Sequence, residues 1–139
     1  MYNENQFSLG ISKPYEIKET IKMYNIIIDR KSKYSVVGGL VNSESEVKKF
    51  INELNKDDFF RKASHNSYAF RIRNENGSIL EGKNDDGEKG AGMCILRELQ
   101  RVEGQNIILV VTRYFGGIHL YTDRFKNIID SCKIFIKKN

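Results

Sequence analysis

The sequence predicts an α+β fold: a two-layer sandwich in which a mixed or antiparallel sheet carries helices on one face. Three observations point there. Ile107 to Val111 form an unbroken apolar run, as in a strand buried on both faces. Tyr68, Phe70 and Ile72 alternate with Ala69, Arg71 and Arg73, and Asn76-Gly77 then marks a tight turn, so this strand folds back through Ser78 to Gly82 as a hairpin. Phe125, Ile128, Ile129, Cys132, Phe135 and Ile136 keep the three-and-four spacing of an amphipathic helix. Helices mixed with hairpin-like strands bury their apolar faces against one another as two layers.

Taken in order, residues 1–14 are polar, close on the only proline, Pro14, and read as an N-terminal arm. Residues 15–139 read as one domain. Ile21, Met23, Ile26 and Ile28 partly alternate, which predicts one or two strands before Asp29. Tyr34 to Val41 has strand composition, and its Gly38-Gly39 pair predicts a bulge or the close approach of another backbone. Ser43 and Glu46 have capping-box spacing ahead of Val47, Phe50, Ile51 and Leu54, which fixes a first helix. A second helix is expected from about Asp85 or Asp86 to Val102, with Ala91, Cys94, Ile95, Leu99 and Val102 as its apolar stripe. The last helix is expected from about Thr122. With helices on one face, the other face of the sheet is expected to be partly exposed and to display Arg71 and Arg73.

Composition narrows the class without naming a role. The chain has 139 residues, 40% hydrophobic and 29% charged, as an ordinary folded domain does. No apolar run is long enough to cross a bilayer. Residues 1–10 lack a basic and apolar leader pattern, and two cysteines do not build a disulfide framework, so a reducing, cytoplasmic setting is the expectation. Both cysteines fall on apolar helix faces and are expected to be inert thiols. The net charge of +5 is spread along the chain without a block of like charges, and abundant Ile, Lys and Asn are what AT-rich coding imposes. A solvated basic surface accounts for it better than a dedicated nucleic-acid face does.

Three polar clusters could carry chemistry. Ala63-Ser64-His65-Asn66 precedes the alternating strand, and His65 could act as a base, ligate a metal, or bond to backbone in a turn. Asn84 to Gly92 holds Asp85, Asp86 and Glu88 with three glycines. Acids there complement a helix N-terminus, could in principle hold a divalent cation, and lack calcium-loop or zinc-site spacing. The glycines imply that backbone comes close to a ligand, a neighbouring strand or a partner. The third cluster, Thr112-Arg113-Tyr114-Phe115-Gly116-Gly117, places a cation and two aromatics where the buried strand reaches the surface. Arg113 could bind phosphate or pair with the acids at 85–88, and Tyr114 and Phe115 could stack on bases or complete the core. No catalytic triad, phosphate loop or dinucleotide fingerprint is present. No cofactor and no metal is expected.

In order, these clusters resemble the IMPACT family. The matching residues are Arg30-Lys31-Ser32, then Ala63-Ser64-His65-Asn66-Ser67-Tyr68-Ala69-Phe70-Arg71-Ile72, Asp85-Asp86-Gly87-Glu88 with Ala91-Gly92, and Thr112 to Ile118. Asp123-Arg124-Phe125-Lys126 is similar to the opening of the last helix in the eukaryotic branch. The resemblance covers residues 29–137. It implies a fold like ribosomal-protein and elongation-factor domains, and a role in translational control without established enzymatic activity. By the same resemblance the partner is a protein: eukaryotic members bind the ribosome-associated activator of the starvation-responsive initiation-factor kinase and restrain that kinase, and an actin link is described. Two departures stand out. Eukaryotic relatives carry an RWD domain that has no room in this chain. They also usually have glycine after the leucine matching Leu120, where this chain has Tyr121-Thr122, so the loop 116–123 is expected to be reshaped.

Three functions follow as expectations. The first is a non-catalytic regulator of translation whose partner meets a polar site of His65, Asn66, Asp85, Asp86, Glu88, Arg113, Gly116 and Gly117. The second is an RNA- or ribosome-binding module using Arg71, Arg73, Arg124, Lys126 and Lys133. The third is a metal-assisted hydrolase using Asp85, Asp86, Glu88 and His65.

Overall fold

The computed structural model describes residues 13–139, so the expected arm lies outside the described residues except at Lys13 and Pro14. The elements run β1 (Ile21–Asp29), β2 (Ser32–Leu40), α1 (Glu44–Leu54), α2 (Asp58–Arg61), β3 (His65–Arg73), β4 (Ile79–Asn84), α3 (Ala91–Arg101), β5 (Ile107–Tyr114) and α4 (Asp123–Lys138). The five strands form one sheet in the order β1-β2-β5-β3-β4, and every neighbouring pair is antiparallel. The apolar run therefore sits at the centre. Ile107, Leu109 and Val111 face one core with α3 and α4, and Ile108 and Val110 face a second core with α1. All five are at most 2% exposed, which is why the segment shows no alternation.

The fold is the α+β sandwich expected, with the two long helices α3 and α4 packed on one face. Ile95 and Leu99 of α3 and Ile128, Cys132 and Phe135 of α4 are completely buried there. Burying each such Leu or Ile side chain contributes about 1.5–3 kcal/mol. The opposite face is less open than expected. Val47 and Leu54 of α1 and Phe60 of α2 close over Val37, Ile108 and Val110. Gly38 and Gly39 mark this two-sided packing. The ring of Phe135 occupies the place of a Cβ at Gly38 on one face, and the ring of Phe50 does so at Gly39 on the other. What comes close is therefore side-chain rings and not another backbone, and the bulge lies instead in β1 between Met23 and Ile27, where Asn25 adopts φ 50°.

Arg71 is a correction to the expected arginine-displaying face. Tyr68, Phe70 and Ile72 belong to the α1 side, and Ala69 and Arg71 stand on the α3 side. Arg71 is folded down rather than displayed, its Nε donating to Gly104 O at 2.9 Å and its Nη1 to the Glu81 carboxylate. The start of α3 also differs. The helix begins at Ala91, and Asp85 to Gly90 form the turn that leads into it. The short α2 was not anticipated, since one turn of helix is too brief to show a period.

Candidate functional site

The polar clusters gather where β3 enters and β5 leaves the sheet. In the antiparallel register His65 lies opposite Arg113, and Asn66 lies opposite Thr112. Tyr34 of β2 stands opposite Arg113 on its other side. Ser64 closes the corner, its N–H donating to Arg113 O at 2.9 Å and its Oγ accepting from Phe115 N at 2.9 Å.

The turn Asp85 to Gly90 drops onto this end, and each acid has a separate task. Asp85 accepts from Gly90 N at 3.0 Å and from Gly92 N at 2.8 Å, so one carboxylate satisfies two orphan amides of α3. These two backbone bonds hold its carboxyl below the usual aspartate range. Asp86 accepts from Asn66 N at 2.7 Å and offers its carbonyl to His65 Nδ1 at 2.9 Å. His65 thus has the turn-bonded role, with Nδ1 as donor because the partner is a carbonyl oxygen. Ser67 Oγ donates to Asp85 O at 2.7 Å. Glu88 is 4% exposed and pairs with Nη1 of Arg113, itself 5% exposed. The turn needs left-handed backbone at Asp86 (φ 47°), Gly87 (φ 81°) and Gly90 (φ 91°), where glycine is the residue without strain. The glycines therefore serve the approach of this turn to β3 and α3. With its carboxylates assigned in this way, the turn has no open oxygen-rich site. Among the described residues no group of three or more His, Cys, Asp or Glu is placed to hold a metal ion.

Arg113 is correspondingly not a free cation. Its guanidinium carbon lies 5.7 Å from the ring centroids of both Tyr34 and Phe115. Its Nη2 reaches Ser32 Oγ at 3.4 Å, which also accepts from Gly116 N at 3.2 Å. A Cβ on Gly116 would collide with the backbone of Lys31, so this glycine lets the β1–β2 turn and the β5 exit touch. Gly117 follows with φ 91° and open space around it. The same junction holds Arg30, which bonds Asp29 at 3.1 Å and Asp123 at 2.5 Å, fastening the turn to the start of α4.

The loop from Phe115 to Thr122 runs through Tyr121 before it reaches α4. The tyrosine keeps a left-handed backbone, φ 52°, with its ring 76% exposed. Phe115 and Ile118 are each 44% exposed in the same loop, and the His119 ring lies 5.4 Å from that of Phe115.

The structure does not gather the candidate RNA-binding residues into one patch. Arg71 pairs in register with Ile107, at the start of β5, whereas Arg124 reaches Lys89 O at 3.0 Å, beside the Glu88–Arg113 pair. The length of β5 separates them, about 20 Å at strand rise. Arg73 is exposed near the Arg71 end. Lys126 is paired with Asp130 at 2.7 Å, and Lys133 is exposed on α4. Three contributors were missed in the sequence. These are α2, whose Phe59 and Phe60 carbonyls accept from Tyr114 OH and Asn66 Nδ2; Ser67, which holds the acidic turn; and His119. Ser67 gave no signal in the sequence, since it shares its strand face with His65, Arg71 and Arg73, where one more polar residue is unremarkable.

The family model described as the Impact N-terminal domain matches residues 30–135, the span that holds every motif above. The chain is 36% identical over 121 residues to the Protein IMPACT homolog of Schizosaccharomyces pombe, covering 87% of this chain and 43% of that one. It is 40% identical over 114 residues to the Protein IMPACT homolog of Dictyostelium discoideum, covering 82% and 33%. The chain thus spans less than half the length of these curated relatives. Among solved structures, the two-domain translational regulator Yih1 superposes with a TM-score of 0.58 at 28% identity, over 99% of this chain and 53% of Yih1. A hypothetical protein shares the fold at a TM-score of 0.66 and 21% identity, over 88% of this chain and 60% of that one. With its motifs placed at one end of the sheet and matched from Arg30 to Phe135, the chain belongs to the Impact N-terminal domain family.

Proposed function

We propose that this domain acts in translational regulation as a binding module, and that its partner is a protein of the translation-control machinery. The observation that carries the reading is the likeness to Yih1, a translational regulator, over nearly the whole of this chain. The contact end is the β3 entry with the β5–α4 loop, because apolar and aromatic side chains are held exposed there on a buried, fixed base. The partner proposed is the ribosome-associated activator of the starvation-responsive initiation-factor kinase, and the setting is the cytoplasm. The buried Glu88–Arg113 pair, the capping carboxylate of Asp85 and the turn bonds of His65 and Asp86 support a framework role for the polar cluster, with the exposed loop as the contact. That arrangement favours a non-catalytic module over a hydrolase.

The purified chain is expected to co-precipitate the purified activator with RNase present, and to lower initiation-factor phosphorylation when added to a starved extract. Phe115→Ala with Tyr121→Ala should weaken both effects at least tenfold with the fold intact. Absence of binding together with unchanged phosphorylation overturns the reading. Capture that disappears with RNase replaces it by RNA or ribosome contact, whose affinity falls steeply with salt. An actin co-sedimentation assay tests the remaining partner implied by the family.

A further inference from the structure

A cleft of about 300 Å³ opens between the β3 entry and the β5–α4 loop, lined by Ser64, His65, Arg113, Phe115 and His119. A second cleft, of about 380 Å³, adjoins it and shares Arg113 and His119, adding Arg124 among its lining residues. No carboxylate lines either cleft. The acids nearby are turned elsewhere: Asp85 onto the amides of α3, Asp86 onto Asn66 N, and Glu88 onto Arg113. Two guanidiniums share that one glutamate, since Arg124 Nη1 also lies 4.0 Å from the same Glu88 oxygen. The group of three therefore retains one positive charge at the cleft walls. Arg113 Nε is buried without a protein partner, although the side chain is 94% buried. His65 is oriented by its Nδ1 bond to Asp86 O, which leaves Nε2 as its unbonded ring nitrogen.

We propose that this cleft is an oxyanion site that takes a phosphate monoester group. A phosphate monoester group matches the lining chemistry: the Arg113 guanidinium, the His119 ring and the Ser64 hydroxyl can donate to its oxygens, His65 Nε2 can accept from a P–OH, and the Phe115 ring is an apolar wall for whatever carries the group. The source is a free phosphate compound or a phosphorylated side chain of a protein. The second source rests on the reading of this end as a protein-contact surface; the site itself does not.

The test is NMR titration of the isotope-labelled chain with inorganic phosphate, against sodium chloride at matched ionic strength. Saturable shifts are expected in the His65 and His119 ring signals and in the Ser64 and Phe115 amides. His119→Ala should weaken them five- to tenfold with an unchanged melting temperature, and Arg113→Lys gives a second variant that keeps the charge. Shifts equal to those in chloride, shifts spread over surface lysines, or titrations unaltered in both variants overturn the proposal. A phosphoserine peptide that binds at least tenfold tighter than inorganic phosphate, and than its unphosphorylated form, assigns the source to a protein; equal affinities for the peptide and phosphate assign it to a free compound. Phosphate binding with no capture of the activator sinks the partner assignment and leaves the site standing, and capture without phosphate binding does the reverse.

Discussion

Arg113, one residue from the end of the central strand, and Glu88, in the turn before α3, form an ion pair with both side chains buried, at 6% and 3% exposure. Their separation of 25 residues in the chain makes the pair a tertiary fastener between β5 and the acidic turn. Removing one partner leaves an uncompensated charge in a low-dielectric setting, which costs about 3–5 kcal/mol. Arg113→Ala and Glu88→Gln should each lower the urea midpoint steeply. The double variant Arg113→Met with Glu88→Gln should be less destabilised than the sum of the single changes, by 1 kcal/mol or more, roughly, in a double-mutant cycle. Additive effects in that cycle would show the two groups to be independent.

Asp85 makes stability depend on acid. Its carboxyl is depressed by the Gly90 and Gly92 amides, so the folded form binds its proton less readily than the unfolded chain does. The contribution is complete above the unfolded aspartate value, near 3.9, and is lost as pH falls through the lower folded value. Asp85→Asn is expected to cost about 1–2 kcal/mol near neutral pH, as loss of a helix-capping carboxylate does. The gap between wild type and variant should narrow as the pH is lowered from 5 toward 2 in denaturation curves. A gap constant across that range would assign the shift to another group.

Tyr121 carries backbone strain that a glycine would not. A left-handed tyrosine costs about 1–2 kcal/mol, and glycine returns about 0.5–1 kcal/mol of that through the greater freedom of the unfolded chain. Tyr121→Gly should therefore stabilise the domain slightly, by roughly 0.5–1 kcal/mol, whereas Tyr121→Ala should not. The ring itself is exposed, so either change should weaken partner capture if the loop is the contact. A destabilised Tyr121→Gly variant would mean that the ring packs in solution.

These predictions turn on features that differ in how far the sequence discloses them. β5, α1 and α4 were legible because burial on two faces, a capping box and a 3.6-residue period are local properties of the chain. The Ser43 cap appears as expected, with Oγ accepting from Glu46 N at 3.2 Å, although the Glu46 carboxylate closes on Asn42 N rather than on Ser43 N. The start of α3 was misplaced because Asp85 caps the helix from five residues upstream of Gly90, across a turn of left-handed residues, and acids spaced for a capping box look the same in sequence. The Glu88–Arg113 pair could be named as an option but not chosen, since burial of an arginine depends on strand order, a long-range property. The left-handed backbone of Tyr121 was not legible for a related reason: the contacts around it, Arg30 with Asp123 and Gly116 against the β1–β2 turn, are long-range, and a tyrosine's own preference for that conformation is weak.

The cysteines give the last prediction. Cys132 is completely buried among Ile128, Phe135 and the sheet, and burial pushes its thiol well above the ordinary range. Cys94 is partly buried on α3, and burial raises its thiol as well. Because the thiolate is the reactive species, a raised thiol is slow toward disulfide reagents even where it can be reached. In the native protein Ellman's reagent should therefore label Cys94 slowly, and Cys132 only at the rate of opening of the α4 face. Both should react at once in urea. Cys132→Ala should cost stability by leaving a void beneath α4, about 1–3 kcal/mol for a buried residue of this size, while Cys94→Ala should cost less. Fast native labelling of Cys132 would mean that α4 detaches from the sheet far more readily than its packing against Leu109 and Val111 implies.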